Sequence, residues 1–426
     1  MYKTSLKLTD EEKEIMEGNR GEVLQKIMES VVKYGEVFEA TELIEINSPI
    51  HVVTSFGIPL LKPLFSIMDN LIENDLKTKH PFTVDPRPLD YDYVKCNLLE
   101  KIVFKIMYGK QDEYESQLKK VGLVNDNAYS CTSYLDENDN KPNYGQMLAW
   151  AESSAVVYVN SVLGARSNRN SGIIELFCGI LGKAPLFGFL EDEGRKADWI
   201  IEVKTSKLPQ AQLLGSAIGI KVMDKVPYIY GLDKYLGNEL NNEVKDYLKD
   251  MGAASASNGA VGLYHVNNLT PEAVNLSDEL IKKEAKIYII DDEELEKIKN
   301  SYPVMWKSTD LKPKLAFIGC PHCSYNQLID WTNKMYDRLN GEKLKVRTIF
   351  TSSPNVIEKF KNNHEVYKKF LDTGANISYI CPLMYTNNVI ANKKPIITNS
   401  NKLRTYSNAR YFDDNEILEI IVKGEI

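Results

Sequence analysis

The chain has 426 residues, a formal net charge of −7, 43% hydrophobic residues and 26% charged residues. This length predicts roughly two to four domains, and the acidic balance argues against nucleic-acid binding, which needs a basic surface. The sequence contains no run of about 20 apolar residues that could span a bilayer, and its first 12 residues show no signal-peptide pattern. We therefore expect a cytoplasmic protein that binds neither nucleic acid nor membrane.

The first part of the chain shows helical and mixed patterns. Thr9 and Glu12 form a capping box that predicts a helix start. The segment from Asp85 to Asp90 contains two prolines and predicts an extended connection. We expect three regions: residues 1–92, which pack on the catalytic core; a central α/β domain at 93–308; and a C-terminal α/β domain at 309–426. A run of small residues at 252–260 in the central region allows close backbone approach, either to a neighbouring element or to a ligand.

The C-terminal region alternates short apolar runs with helical periods. Strands are predicted at 315–319, 345–350, 377–380 and 396–398, and helices at 325–339, 354–371 and 415–422. This alternation predicts a parallel sheet with crossover helices. The carboxyl ends of parallel strands share one edge, so Cys320, Thr351 to Ser353, Cys381 and Ser400 are expected together at that edge.

Three of the six cysteines follow apolar runs at the expected carboxyl ends of strands: Cys131, Cys320 and Cys381. Ligands of open α/β sheets bind at those ends, and thiolates from distant segments can share one metal centre. In a reducing compartment, clustered cysteines indicate metal or redox chemistry rather than a disulfide framework. Cysteine is also a common small core residue, which is how we interpret Cys96 and Cys178.

Two other functions fit parts of this pattern. Cys320 and Cys323 form a Cys-Pro-His-Cys sequence after a strand and before a helix, which is also the setting of a thioredoxin-like dithiol. A thioredoxin fold would turn to an antiparallel hairpin, whereas here the parallel alternation continues to Cys381. The second alternative is a degenerate regulatory or binding protein that keeps the fold without catalytic turnover.

Several motifs together resemble the large, catalytic subunit of the aconitase X enzymes. They are Leu8-Thr-Asp-Glu-Glu12, Cys131-Thr-Ser-Tyr-Leu135, Glu152-Ser-Ser-Ala155, Asn160-Ser-Val-Leu-Gly-Ala-Arg166, Gly319-Cys-Pro-His322 and Thr398-Asn-Ser400. The resemblance implies an aconitase-like α/β fold with parallel or mixed sheets flanked by helices, without the swivel domain. It also implies an iron–sulfur cluster held by Cys131, Cys320 and Cys381.

The same resemblance implies dehydration of a small hydroxy acid. Known activities of the family are cis-3-hydroxy-L-proline dehydration, which we expect here, and phosphomevalonate dehydration, whose large subunit is the alternative. The family also uses a small swivel-type subunit. Because the large-subunit pattern runs from residue 8 to the end, we expect that subunit to be a separate polypeptide.

The expected chemistry needs a Lewis acid at the hydroxyl and a base at the adjacent carbon, and an iron with an open position supplies the first. Candidate acid/base or supporting groups are His51, Glu152 and His322, although a serine of the partner is the base in aconitase-type enzymes. Candidate substrate contacts are Ser153, Arg166, Arg169, Ser400 and Lys402. The two arginines would share a face if their segment were helical.

This chain departs from the family at some positions near these residues. The family usually has Asn-Pro where Asp85-Pro86 stands, and aspartate where Tyr379 stands. Such changes concern the pocket and therefore the substrate more than they concern the cysteines.

Overall fold

The computed structural model describes residues 4–53, 62–308 and 311–426. Its first part begins with the predicted capping box, in which the Glu12 amide donates to Thr9 Oγ1 at 3.3 Å. The elements are α1 (Asp10–Met16), α2 (Glu22–Val37), β1 (Leu43–Glu45), β2 (His51–Val52), α3 (Lys62–Glu73), β3 (Thr83–Val84), α4 (Leu98–Tyr108), α5 (Gln111–Val121), β4 (Met147–Trp150), α6 (Ser153–Ser161), β5 (Arg166–Arg169), α7 (Ile174–Leu181) and β6 (Lys183–Pro185).

Two sheets organise this part. Strands β3, β2, β4 and β5 form a parallel sheet in that order, and β1 pairs antiparallel with β6. The parallel sheet combines strands from both sides of residue 92, so it joins the segment at 1–92 to the segment that follows.

The middle part is a second parallel sheet with its own helices. Its strands have the order β10, β7, β8, β9. The elements are β7 (Ala197–Val203), α8 (Ala211–Val222), β8 (Pro227–Tyr230), α9 (Asp233–Leu236), α10 (Asn242–Asn258), β9 (His265–Val266), α11 (Pro271–Leu276), β10 (Ile281–Ile290) and α12 (Asp292–Asn300).

Tight helix packing accounts for the small residues of the middle part. A Cβ on Gly215 of α8 would lie 2.0 Å from the Met251 carbonyl oxygen of α10. The run at 252–260 therefore lies at a close contact between two helices, where larger side chains would force them apart.

The last part contains a five-stranded parallel sheet in the order β13, β12, β11, β14, β15. Its elements are β11 (Leu315–Cys323), α13 (Tyr325–Leu339), β12 (Thr348–Ser352), α14 (Pro354–Asn362), α15 (His364–Thr373), β13 (Asn376–Ser378), α16 (Pro382–Thr386), β14 (Ile396–Thr398), α17 (Asn401–Tyr406), β15 (Arg410–Tyr411) and α18 (Asp414–Lys423). The predicted α/β alternation with parallel pairing is confirmed.

One predicted helix is divided. The segment at 354–371 forms α14 and α15, which are separated at Asn363. The Asn363 side chain accepts a hydrogen bond from the Val366 amide and so caps a new helix, a local bond that competes with continuation of the first one. Within the described ranges of the chain, no helix combines the length and apolar character needed to cross a membrane.

Candidate active site

The three cysteines meet at the carboxyl edge of the C-terminal sheet. Cys320 lies near the end of β11, and Cys381 follows β13 and occupies the position just before α16. Cys131 comes from the first part, where the Ser130 amide donates to the Val84 carbonyl at 2.9 Å and so aligns its segment beside β3. All three border one cavity of about 130 Å³. The structure therefore brings the expected ligands together.

Gly319 allows an irregular stretch in β11, where the register with β12 shifts between Ile318 and Cys323. Its φ is +105°, and a Cβ there would lie 2.4 Å from the Thr351 carbonyl oxygen. Only glycine accepts both this conformation and this close approach. Gly319 thus allows the irregular part of β11 that carries Cys320.

Without a metal, the three thiols would be protonated. Burial raises the pKa of all three, and that of Cys381 to about 12, so a bound metal would be needed to keep them deprotonated. The His322 amide donates to Cys131 Sγ at 3.4 Å, a contact that tunes cluster thiolates in iron–sulfur proteins.

The three sulfurs do not form a ready site for a single metal ion. Across the described residues, no three His, Cys, Asp or Glu side chains form a group that could hold a single metal ion. A single ion needs its sulfur ligands about 2.3 Å from one point. A multi-iron cluster instead distributes its thiolates over several atoms, and three cysteines around a cavity fit that donor set.

An ion pair between Glu152 and Lys402 lies at the same cavity. Lys402 Nζ also lies 3.2 Å from Ser154 Oγ, and that hydroxyl donates to Glu152 Oε1 at 2.8 Å. Burial alone would raise the pKa of Glu152, but the Lys402 ammonium and the Ser154 hydrogen bonds lower it to about 2. The carboxylate therefore stays ionised. Ser153, the residue expected from the sequence, is the half-buried neighbour of Ser154 at the start of α6.

Ser400 supports the segment that carries Cys320. Its hydroxyl donates to the Cys320 carbonyl and accepts a hydrogen bond from the Leu403 amide at 3.1 Å. It is therefore the N-cap of α17, which places Lys402 in the first turn of that helix.

His322 connects the three cysteine segments. Its Nδ1 lies 3.2 Å from Ser130 Oγ, next to Cys131, and its Nε2 lies 3.1 Å from the carbonyl oxygen of Ile380, next to Cys381. Because a carbonyl only accepts, Nε2 carries the proton and Nδ1 accepts from the serine. Burial lowers the pKa of His322 to about 4, so the ring is neutral at pH 7. With both nitrogens bonded, it has no free position for proton transfer.

His51 faces Asp85, which was not among the residues expected at the site. Its Nδ1 lies 2.9 Å from Thr83 Oγ1, and its Nε2 lies 3.5 Å from Asp85 Oδ1. In the described part of the chain, neither Nε2 nor Oδ1 has a hydrogen-bond partner, although both atoms are buried. Asp85 borders the cavity, and burial together with the Glu152 charge raises its pKa to about 6. The only sequence signal for Asp85 was its departure from the usual Asn-Pro.

The two arginines lie elsewhere. Their segment is strand β5, not a helix, so residues three apart point to opposite faces. Arg166 pairs with Asp192 at 2.5 Å, and Arg169 Nη1 donates to the Ala256 carbonyl at 3.4 Å. Neither borders the cavity that the cysteines share.

Family models cover nearly the whole chain. They are the Aconitase X first domain at residues 5–193, the second domain at 197–300 and the third domain at 313–417. The chain belongs to the aconitase X family. The family models place the two domain boundaries between residues 193 and 197 and between residues 300 and 313.

Relatives of this aconitase X chain carry two names. It is 33% identical over 346 residues to the phosphomevalonate dehydratase large subunit of Methanocaldococcus jannaschii, covering 79% of each chain. It is 32% identical over 372 residues to that of Methanosarcina mazei, covering 87% of this chain and 84% of the other. With the cis-3-hydroxy-L-proline dehydratase of Pseudomonas aeruginosa it shares 28% identity over 233 residues, which are 54% of this chain and 38% of the other.

The crystal structure of Thermococcus kodakaraensis aconitase X in its holo-form has the same fold. It matches with a TM-score of 0.80 and 27% identity over 98% of this chain and 100% of the other. The expected aconitase-like α/β fold and a lyase-class enzyme, a dehydratase, are confirmed. The continuous parallel sheet and the family membership exclude a thioredoxin-like fold around Cys320 and Cys323.

Proposed function

We propose that this chain is the large, cluster-binding subunit of an iron–sulfur-dependent phosphomevalonate dehydratase. The observation that carries the proposal is the cavity bordered by Cys131, Cys320 and Cys381, which come from three distant segments. Three protein thiolates would leave one iron of a cluster open to substrate.

The substrate choice differs from the first expectation. From the sequence motifs we expected cis-3-hydroxy-L-proline. The relatives named phosphomevalonate dehydratase large subunit match this chain at higher coverage and up to 33% identity, whereas those named cis-3-hydroxy-L-proline dehydratase match about half of it. The comparisons therefore favour phosphomevalonate, and their names also support a separate small subunit as partner.

Dehydration breaks a carbon–oxygen bond, removes a proton from the adjacent carbon and releases water. A bound iron–sulfur cluster supplies the Lewis acid that makes hydroxide a better leaving group. Among the described residues that border the cavity, Lys402 is the single cation, so it is the group that would attract an anionic substrate. Its ion pair with Glu152 fixes the ammonium at the cavity wall.

Asp85 with His51 is the proposed proton-transfer pair of this chain. Glu152 is held ionised by Lys402, and both ring nitrogens of His322 are bonded. Asp85 remains as a carboxyl at the cavity with an unbonded oxygen and a pKa near neutrality, where acid/base catalysis is most effective. Its long contact to His51 is compatible with tightening when substrate binds.

The test uses the chain together with the small subunit, loaded anaerobically with iron and sulfide. We expect loss of one water from phosphomevalonate, detected by mass spectrometry of the product, and no turnover of cis-3-hydroxy-L-proline. Turnover of hydroxyproline alone would contradict the substrate.

Cysteine variants test the cluster ligands. C131S, C320S and C381S are each expected to lose bound iron and activity. C96S and C323S are the matched controls, because neither side chain borders the cavity, and both should retain iron. Full iron content in C320S would contradict the ligand set, whereas loss of all activity in C323S would revive a dithiol mechanism.

A further inference from the structure

Helix α4 is apolar on two sides, but only one side is covered. Phe104 and Tyr108 point inward and join a core cluster that includes Cys320. Four large side chains on the outer side are exposed: Leu98 (75%), Leu99 (62%), Ile102 (50%) and Ile106 (65%). Residues 98, 102 and 106 recur every four positions with 99 beside them, so they form one continuous arc, which we call the α4 stripe. A contiguous exposed apolar patch of this kind marks an interaction surface.

The exposed charges on α4 itself are positive. Lys101 and Lys105 of α4 are exposed, and Lys95 precedes the helix. The one acidic residue of α4, Glu100, is buried and paired with Lys394. This basic rim contrasts with the net charge of −7, so it favours a partner whose own rim is acidic.

The helix that carries the stripe also supports the wall of the cavity. The Tyr108 hydroxyl donates to the Met384 carbonyl at 3.2 Å, and Met384 borders the cavity with the cysteines. Asn388 Nδ2 donates to the Glu100 carbonyl at 3.3 Å and fixes the segment after Cys381 to the same helix. A protein bound on the stripe would therefore lie one helix away from the proposed site.

We propose that the α4 stripe is the docking surface for the separate small subunit, which covers it with an apolar face bordered by acidic side chains. The proposal rests on the proposed function, because relatives are named large subunits and so imply a small one. The basic rim and the contact with the cavity wall distinguish this surface from isolated exposed apolar residues elsewhere.

The test measures binding of the purified swivel-type small subunit from the same organism by isothermal titration calorimetry at low and high salt. The variant is L99K/I102K, whose changes are exposed and leave the inner side of α4 intact. The control is V274K, a lysine at an exposed apolar position (59%) of α11. Circular dichroism and thermal unfolding check that wild type and every variant are folded.

Wild type and V274K are expected to bind one small subunit per chain, and L99K/I102K roughly 30-fold more weakly, since a few central apolar residues dominate an interface. K101E/K105E is expected to weaken binding more at low salt than at high salt. Equal affinity of L99K/I102K and wild type would overturn the proposal. So would self-association of wild type through the stripe, seen as a dimer that L99K/I102K abolishes in sedimentation.

The same samples separate this proposal from the proposed function. If wild type and L99K/I102K dehydrate phosphomevalonate equally well with the small subunit, the docking surface is wrong and the function stands. If wild type binds the small subunit at the stripe but the loaded complex turns over no phosphomevalonate, the docking surface stands and the function is wrong.

Discussion

Glu152 and Lys402 are two opposite charges removed from water at the cavity wall, with side chains 12% and 11% exposed. A buried pair of this kind gives little net stability over an apolar pair, but the loss of one partner leaves an uncompensated charge. The pair therefore makes Lys402 important both for stability and for the charge of the cavity.

K402M is expected to lower the free energy of unfolding of the cluster-free chain by about 3 kcal/mol, measured by urea denaturation at pH 7. In the loaded enzyme it should raise KM for phosphomevalonate roughly tenfold, because a charged hydrogen-bond donor is lost. S153A is the control, since Ser154 rather than Ser153 contacts the pair. An unchanged KM in K402M would show that Lys402 does not contact the substrate.

Asp85 has a pKa that burial and the Glu152 charge raise from its ordinary value of 3.8 to about 6. Because the pKa of this carboxyl is higher in the folded state, its protonated form favours folding. This contribution to the free energy of unfolding is lost as the pH rises from about 4 to about 6. D85N removes this dependence. The cluster-free variant should match wild type at pH 4 and be more stable at pH 7 by on the order of 2 kcal/mol.

The same D85N chain, loaded with its cluster, should lose most of its activity if Asp85 transfers the proton. D112N, at an exposed aspartate of α5, controls for the change of charge. A variant that is less stable at pH 7 would contradict the electrostatic assignment, and full activity would contradict the proton-transfer role.

At the scale of elements, the C-terminal sheet was predictable because its strands are short apolar runs that alternate with helical periods. Strand β14 and helix α13 have the predicted bounds. The break at Asn363 was not predicted, because the apolar periodicity continues through it and only the side-chain cap interrupts the helix. Strand β5 was considered as a helix because four residues with two arginines show neither period clearly.

His322 links different elements and holds the segments that carry the cysteines in place before any cluster binds. H322L would leave the Ser130 hydroxyl and the Ile380 carbonyl without this partner. In the cluster-free chain, amide exchange at residues 130–132 and 380–381 should become roughly tenfold faster, which corresponds to about 1.4 kcal/mol. Iron uptake should fall in parallel.

H322Q should restore most of the protection, because an amide can donate to Ile380 and accept from Ser130 as the neutral ring does. H364Q, at an exposed position of α15, is the control for a histidine change outside the site. An unchanged amide exchange rate in H322L would show that backbone packing alone positions the segments at 130–132 and 380–381.

At the scale of the whole molecule, the cavity combines the first and last parts of the chain. Asp85, Cys131 and Glu152 come from the first part, and Cys320 and Lys402 come from the last. Local patterns predicted the edge of the C-terminal sheet, but the residues of the first part that face it depend on long-range packing. The motif resemblance supplied Cys131 and Glu152, whereas Asp85 became visible only through its position.

The middle part supports this cavity without supplying a cysteine. Lys249 of α10 donates to the His322 carbonyl at 3.0 Å, and Gln212 of α8 donates to the Cys320 carbonyl at 3.4 Å. Cluster binding would therefore link the first and last parts directly and reach the middle sheet only through these contacts.

Removal of the cluster should consequently loosen the molecule unevenly. A group that binds only the folded state adds stability according to its affinity, so the loaded chain should have a higher Tm than the chain stripped by oxidation and chelation. In hydrogen exchange, loading should protect residues 128–135 and 380–386 strongly, while strands β7 to β10 change little. The C131S/C320S/C381S chain, treated in the same way with iron and sulfide, should show neither the Tm increase nor the protection. Equal protection of the middle sheet would mean that the cluster does not bind where the three thiols meet, because only the first and last parts contribute ligands to that cavity.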